Sequence, residues 1–453
     1  MTEDFLNCLN QTEHACDVQV DALLRRFTVQ NKLIEYFLKN KNKELKHNIK
    51  NIEDWKRPLI KESELKSYFE ELKSNFTSTQ EKDLCRERQR CFNGGTCQTN
   101  SSTFHCICTK GYIGENCQYT DGKGTSFVVI FQEIWRGGST TIITPKLLVA
   151  SERPVHLSVY YFHDNRNQTV IADKNHPEYT LDKGVLMQDG MHNAGIIVRS
   201  NVSVTMYGVL FEQFNGVSEG FMVIPDRFAS TEFIIPSFSP YHEYSVIAIT
   251  PLFDSTIVEI IIKIQRGYVT YDGTNYSNGD KILLTLNKYK TFQLSYSLDL
   301  SGTLVKASMP VVVVSGNTIT RVSTSRVSGA SSQPFMEMVL PTNQLDHLYV
   351  IPHLSTRPKS VVRVLTVNAT TLLIRNNNKI KKMSNSRDYV DFTHNTVSYI
   401  QSTSDVLVMM YPEELPDKKG DAFMMTIPGV NQYLQSYDFV VPTGFTSFIS
   451  ITV

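Results

Sequence analysis

The chain has 453 residues, of which 41% are hydrophobic, and its 45 basic and 45 acidic side chains cancel. This balance excludes the electrostatic footprint of a protein that binds nucleic acid or an anionic membrane surface. The length corresponds to about three domains of ~150 residues each.

Residues 1–80 are polar and contain no glycine. Apolar residues recur there at heptad-like steps, which is typical of a helical seam. The seam residues are Val20, Leu24, Phe27, Ile34, Leu38, Leu45, Ile52, Trp55 and Leu59. We predict an α-helical, coiled-coil stalk that makes a homo-oligomer; polar interruptions such as Asn31 leave a helical hairpin or a loose spacer as alternatives. Cys8 and Cys16 either close a small loop or cross-link chains.

The other six cysteines lie between Cys85 and Cys117, separated by five, five, eight, one and eight residues. Structural zinc sites use paired cysteine knuckles, and no CxxC pair occurs here. Six cysteines in a segment too short for its own core indicate three disulfides and an oxidising compartment.

Residues 82–118 resemble an EGF-like domain through "CFNGGTC" and "CICTKGYIGENC". The resemblance implies the pairs Cys85–Cys97, Cys91–Cys106 and Cys108–Cys117. It also implies O-linked fucose on Thr96, which directly precedes the third cysteine. Thr99 stands where calcium-binding members have an oxygen ligand from Asp or Asn, so we expect no metal site.

Seven Asn-x-Ser/Thr sequons occur in the chain. In a secreted protein such asparagines accept N-linked glycans and mark exposed loops. The candidate asparagines are Asn10, Asn75, Asn100, Asn167, Asn201, Asn275 and Asn368.

From residue 124 onward, short runs rich in Val, Ile, Thr, Tyr and Phe alternate with turn residues, which predicts a mainly β region. A hydrophobic-Pro step recurs at Ile224-Pro225, Leu340-Pro341 and Ile427-Pro428. A later strand also recurs as "RSNVSVTMYG", "KASMPVVVVSG" and "QSTSDVLVMMY". We predict tandem antiparallel β-sandwich-like repeats, with a propeller-like array as the alternative.

Residues 124–453 resemble the N-terminal domain family of the IgG Fc-binding protein of mucus. The resemblance rests on "YHEYSVIAITPLFDSTIVEI", "LDLSGTLVKASMPVVVVSGN" and "FMEMVLPTNQLDHLYVIPHLS". The expected units span 125–215, 219–320, 335–415 and a truncated 421–453, and the first departs most from the others. The family implies an extracellular binding or matrix role, and no residue here matches the Fc-binding activity in its name.

No sequence motif of catalysis or of a bound cofactor is present, so we do not predict an enzyme. His242-Glu243 is the closest histidine-carboxylate pair, and two neighbours in an extended strand point to opposite faces. His105 is expected at the surface of the disulfide module. Lys419-Gly420-Asp421 is similar to integrin-binding tripeptides and is expected to form a turn.

The first residues, "MTEDFLNCLNQTEH", lack the basic and apolar regions of an export signal. No run approaches the ~18 apolar residues of a membrane span. We therefore expect an incomplete piece of a longer secreted or cell-surface protein. The predicted function is extracellular modular binding or adhesion, in mucus or matrix, with proteins or glycans as partners. A self-associating matrix component and a receptor ectodomain are the alternatives.

Overall fold

A computed structural model describes residues 85, 91–100, 103–135, 142–212, 217–322, 332–357, 359–374, 379–415, 420–441 and 449–452. The predicted stalk at 1–80, with Cys8, Cys16, Asn10 and Asn75, lies outside the described residues. The described part is mainly β, as predicted, and forms two compact units, the disulfide module and the β region. No helix in this part is long and apolar enough to cross a membrane.

The disulfide module contains the hairpin of β1 (Thr96–Asn100) and β2 (Thr103–Ile107). Three disulfides join Cys85 to Cys97, Cys91 to Cys106 and Cys108 to Cys117. These are the pairs that the EGF-like resemblance implies. Directly opposite positions in the hairpin carry Cys97 and Cys106, so two of the three disulfides are attached to one strand pair.

A two-stranded ribbon of β3 (Tyr112–Ile113) and β4 (Tyr119–Thr120) precedes the first large sheet. The following strands are β5 (Gly124–Val129), β6 (Ile143–Ala150), β7 (Val155–Tyr161), β8 (Arg166–Ala172), β9 (Glu178–Thr180), β10 (Gly190–His192), β11 (Ile196–Glu212) and β12 (Ser218–Val223). The first sheet has the order β8-β7-β11-β6-β9, and β5 and β12 also pair with β11. β10 belongs to the second sheet.

The second large sheet has the order β10-β19-β14-β20-β15-β18, and β13 and β21 also pair with β20. Its region contains β13 (Ser230–Ile234), β14 (Ser245–Pro251), β15 (Thr256–Ile261), β16 (Val269–Tyr271), β17 (Thr274–Tyr276), β18 (Lys281–Leu286), β19 (Thr291–Tyr296), β20 (Leu304–Thr320) and β21 (Gln333–Met338). β16 and β17 form a separate hairpin.

The third large sheet has the order β25-β24-β27-β23-β26, and β22 and β28 also pair with β27. Its strands are β22 (Asp346–Ile351), β23 (Ser360–Thr366), β24 (Thr370–Ile374), β25 (Lys379–Met383), β26 (Tyr389–His394), β27 (Ser398–Pro412) and β28 (Met425–Thr426).

All three sheets share one plan, in which a long strand pairs with different neighbours along its two halves. The first half of β11 pairs with β5 and β7, and its second half pairs with β6 and β12. β20 and β27 repeat this pattern with their own neighbours. Ladder pairing stops between the halves at Asn201–Ser203, Ser308–Pro310 and Thr403–Asp405. A proline or a polar residue is tolerated at such a break because no ladder bond is lost there.

The segments that recur in the sequence are therefore the breaks of the long strands. The recurring hydrophobic-Pro steps lead into short 3₁₀ turns, Asp226–Phe228, Thr342–Gln344 and Val430–Gln432. β12 lies just before the first turn and pairs with β11 of the first sheet. β21 lies just before the second turn and pairs with β20 of the second sheet. The bounds of the repeated units stay a prediction.

Each sheet has its own apolar core, and two further contacts join neighbouring sheets. Met336 and Met338 of β21 lie in the core of the first sheet. Phe335 of the second sheet packs in one cluster with Tyr411 of the third. Because these side chains are buried across the junctions, the loops of one sheet are held next to the outer face of another.

Candidate ligand-binding cleft

An open cleft of about 500 Å³ lies between the outer face of the first sheet and two loops of the second. Its first wall consists of Ser158, Tyr160, Phe162, Asn167, Ile197 and Arg199. Its second wall consists of Asp254, Lys288 and Tyr289. The volume lies within the roughly 300–1,000 Å³ of ordinary ligand pockets.

The first wall follows from the two-residue period of β strands. Leu157, Val159 and Tyr161 of β7 are buried in the core, so Ser158 and Tyr160 between them face outward. Tyr160 lies directly opposite Asn167 of β8 and Ile197 of β11. One row of side chains therefore crosses three strands.

The second wall is built by the loop after β14 and the turn between β18 and β19. The backbone N–H of Lys288 donates to Asp254 Oδ1 at 3.0 Å, which joins the loop to the turn. Tyr289 has φ of +62°, a left-handed conformation that costs a residue with a Cβ of order 1–3 kcal/mol. Its N–H donates to Pro251 O at 2.8 Å and so helps to hold that conformation.

Three aromatic rings connect the two walls. Tyr160 and Phe162 have ring centroids 4.9 Å apart, at an interplanar angle of 80°. Phe162 and Tyr289 have centroids 4.7 Å apart, at 54°. All three side chains are half-buried, so each ring is supported by the protein and still reaches solvent. Together they line the inside of the cleft with aromatic surface, in which neighbouring rings are steeply inclined to one another.

Charged groups stand at the edge of this aromatic surface. Arg199 is exposed, and within the described part of the chain its guanidinium has neither a hydrogen-bonded nor an ion-paired partner. Lys288 is also exposed, and its Nζ lies 4.9 Å from the centroid of the Tyr289 ring. The lining contains two cations and one carboxylate, that of Asp254, so the net charge of the cleft is positive. The lining residues offer hydrogen bonds and ring faces, so the arrangement supports binding.

A second polar cluster lies at the hairpin between β7 and β8, where His163, Asp164 and Asp182 come close together. Arg166 donates to Asp164 Oδ2 at 2.9 Å and to Asp182 Oδ2 at 3.0 Å. The hydrogen bond from Arg166 lowers the pKa of the Asp164 carboxyl. The guanidinium thus already supplies the positive charge that these carboxylates need. Sequence analysis did not single out this cluster.

The sequon asparagines within the described residues lie in different surroundings. Asn167 lines the cleft, and Asn275 lies in the hairpin of β16 and β17. Asn201 lies in the break of β11, where its Oδ1 accepts a hydrogen bond from the His156 N–H at 3.1 Å. Asn368 is exposed between β23 and β24, and Asn100 ends β1. Modification at these positions stays a prediction.

The other described residues considered from the sequence are not among the lining residues of the cleft. Thr96 is exposed at the start of β1, and His105 is exposed in β2. His242 lies in an exposed bend with φ of +59°. Gly420 and Asp421 are described, whereas Lys419 lies outside the described residues.

Sequence reasoning missed Tyr160, Phe162, Arg199, Lys288 and Tyr289. Tyr160 and Phe162 lie in "HLSVYYF", one of the short runs rich in Val, Tyr and Phe from which the β region was predicted. The run "NKYK" at 287–290 has the composition of a hairpin turn that exposes an aromatic ring between two lysines. That composition was the one available signal for the second wall.

Comparisons with known proteins give two family matches for this chain. The family model described as EGF-like domain matches residues 85–116, and the model described as IgGFc binding protein matches residues 219–453. The human IgGFc-binding protein is 24% identical over 306 residues, which are 65% of this chain and 5% of that protein. A solved structure of E. coli alpha-2-macroglobulin aligns with 76% of this chain and 25% of its own chain, at 8% identity and a TM-score of 0.11. A score this low supports no conclusion about the fold.

The chain is thus a modular β protein with a disulfide-stabilised EGF-like module. It belongs to the IgGFc-binding protein family. The chain spans about 5% of the length of its human relative. The first wall of the cleft precedes residue 219 and lies outside the residues matched by the family model. The chemistry of that wall therefore has to be inferred from its own side chains.

Proposed function

We propose that the chain is an extracellular binding protein, secreted or at the cell surface, which binds acidic glycans in the cleft. It presents an EGF-like module and tandem sandwich-like units, and the two family matches and the three disulfides support an extracellular location. Binding of IgG Fc is named for the human relative, and the proposal for this chain is based on its own cleft.

The observation that carries the proposal is the row of three half-buried rings beside the two exposed cations, Arg199 and Lys288. The C–H face of a sugar ring is apolar and flat, so it packs on an aromatic ring and buries area from water. The sugar hydroxyls need polar partners at the rim, which Ser158 and Asp254 supply. Arg199 and Lys288 favour a glycan that carries a carboxylate or a sulfate, because hydrogen bonds between ionised groups are the stronger ones.

Oligomerisation through the predicted stalk is part of the proposal, because it would convert weak single contacts into avidity. Sedimentation of the secreted chain alone measures its oligomeric state. Sedimentation with an added glycoprotein shows whether the oligomer binds glycans. Binding to the glycoprotein supports the proposal, and self-assembly without such binding would favour the matrix alternative.

The decisive test compares 3′-sialyllactose with lactose, which lacks the acidic sugar, on the secreted full chain. Arg199→Gln removes one cation of the cleft, and Arg153→Gln is the matched control, since Arg153 is also exposed and does not line the cleft. A hydrogen bond to a charged group contributes about 1.5–3 kcal/mol, so Arg199→Gln should weaken binding of the acidic sugar by about tenfold or more. Equal affinities of the two variants, or no preference for the acidic sugar, would refute the proposal.

A further inference from the structure

Asn167 combines two properties that no other sequon asparagine in the described part of the chain has together. It is exposed on β8, which forms an edge of the first sheet, and it lines the cleft. The hydroxyl of Ser158 donates to Asn167 Oδ1 at 2.9 Å, and Nδ2 makes no hydrogen bond to any residue that the structure describes. Nδ2 is the atom to which an N-linked glycan is attached.

We propose that Asn167 carries an N-linked glycan whose first sugars lie in the cleft, where they compete with the external glycan of the proposed function. Tyr160 is the direct cross-strand partner of Asn167. The Cβ atoms of such partners are about 4.5–5.5 Å apart, so the first N-acetylglucosamine starts within reach of the Tyr160 ring. The rings of Phe162 and Tyr289 continue that surface across the cleft.

Covalent attachment makes this occupant effective even though a single sugar binds weakly. A group on a short tether has an effective concentration on the order of millimolar at its site. An external glycan of weaker or similar affinity is then largely excluded. Attachment of the glycan, or its trimming, therefore sets how much of the cleft is open. This regulatory part rests on the proposed function, whereas the position of the glycan does not.

Asn275 provides a matched control within the same chain. It lies in the hairpin of β16 and β17, is exposed, and its Oδ1 accepts a hydrogen bond from the Thr270 hydroxyl at 2.9 Å. Both sequon asparagines thus lie on hairpin strands with one hydroxyl partner. A Cβ built on Gly273, at the tip of this hairpin, would meet no atom within 4 Å. Because Asn275 itself is exposed and does not line the cleft, we expect a glycan attached there to project into solvent.

The test is glycopeptide mass spectrometry of the full chain secreted from animal cells behind an added export signal. We expect glycans at both sites, with more unprocessed oligomannose at Asn167 because the cleft walls restrict the trimming enzymes. Tyr289→Ser should shift the Asn167 glycans to the processing pattern of Asn275 and leave Asn275 unchanged. Thermal unfolding of both proteins shows whether the variant remains folded.

Three results would overturn the inference. They are an unmodified Asn167 in the secreted chain, equal processing at Asn167 and Asn275, and a folded Tyr289→Ser protein with unchanged Asn167 glycans. Tyr160→Ser, in the other wall, repeats the test if Tyr289→Ser is not secreted.

A separate arm distinguishes this inference from the proposed function. Thr169→Ala removes the sequon and keeps Asn167, so the affinity for 3′-sialyllactose should rise at least threefold. Unchanged affinity would refute the competition. If neither the native chain nor the Thr169→Ala variant binds 3′-sialyllactose, the proposed function is refuted. The processing of the Asn167 glycans would still decide whether that glycan lies in the cleft.

Discussion

Replacing Arg363 by methionine is expected to destabilise the junction between the second and third sheets by about 3–5 kcal/mol. The Arg363 side chain is 3% exposed, and its Nη1 donates to Asp299 Oδ2 at 2.7 Å. Its Nε and Nη2 donate to the two oxygens of Asp391, each at 2.8 Å. Nη1 also donates to the Ser237 carbonyl at 2.9 Å and to the Ser301 hydroxyl at 2.7 Å.

The expected magnitude follows from what the substitution leaves behind. Hydrogen bonds to charged groups contribute about 1.5–3 kcal/mol each, but bonds that share one guanidinium are not additive. Most of the lost stability comes from the Asp299 carboxylate, because this group is only 9% exposed and would stay buried without its cation. Loss of one partner from a buried ion pair costs about 3–5 kcal/mol. Arg363→Lys should destabilise the chain less than Arg363→Met does. Lysine keeps the positive charge but lacks the planar fork that binds both oxygens of Asp391, so some stability is still lost.

The assay is urea unfolding followed by circular dichroism, with stabilities compared from the linear extrapolation. Lys281→Met is the control, because Lys281 pairs with Glu259 at the surface and its side chain is 59% exposed. Such exposed pairs contribute under about 1 kcal/mol. If Arg363→Met costs no more than Lys281→Met, the junction does not depend on the buried pair and the reasoning is wrong.

Three further predictions concern the fold. Burial raises the pKa of Glu337 to about 8, so the folded chain keeps a proton that the unfolded chain releases near pH 4.5. The melting temperature should therefore fall as pH rises from about 5 to 8, and Glu337→Gln should reduce this slope. Gly316→Ala should disrupt the pairing of β20 with β21, because its Cβ would lie 1.9 Å from the Phe335 carbonyl oxygen, and amide hydrogen exchange in β21 should increase. Peptide mapping without reduction should recover Cys85 with Cys97, Cys91 with Cys106, and Cys108 with Cys117; other pairs would contradict the structure.

The sequence predicted the strands better than it predicted how they pair. The recurring segments around Asn201, Pro310 and Asp405 were recognised, but each was interpreted as one short strand. In the structure each is the middle of a strand of 15 or 17 residues. The two halves of such a strand have different partners, and those partners are distant in the chain. Local alternation of side chains carries no information about that choice.

The cleft was beyond sequence analysis for the same reason. Asn167 was marked by its sequon, but its neighbours Tyr160 and Ile197 follow from strand register, and a shift of one residue would turn them to the other face. Tyr289 belongs to a turn of another sheet and reaches Phe162 only because the two sheets share a core. Disulfide spacing, in contrast, is local, so the EGF-like module was recognised directly.

The most direct test of the account is a crystal structure of the Thr169→Ala chain soaked with 3′-sialyllactose. The account predicts a sugar ring packed on Tyr160, Phe162 or Tyr289, with the carboxylate of the acidic sugar within hydrogen-bonding distance of Arg199 or Lys288. A sugar bound elsewhere on the chain, with nothing in the cleft, would contradict it.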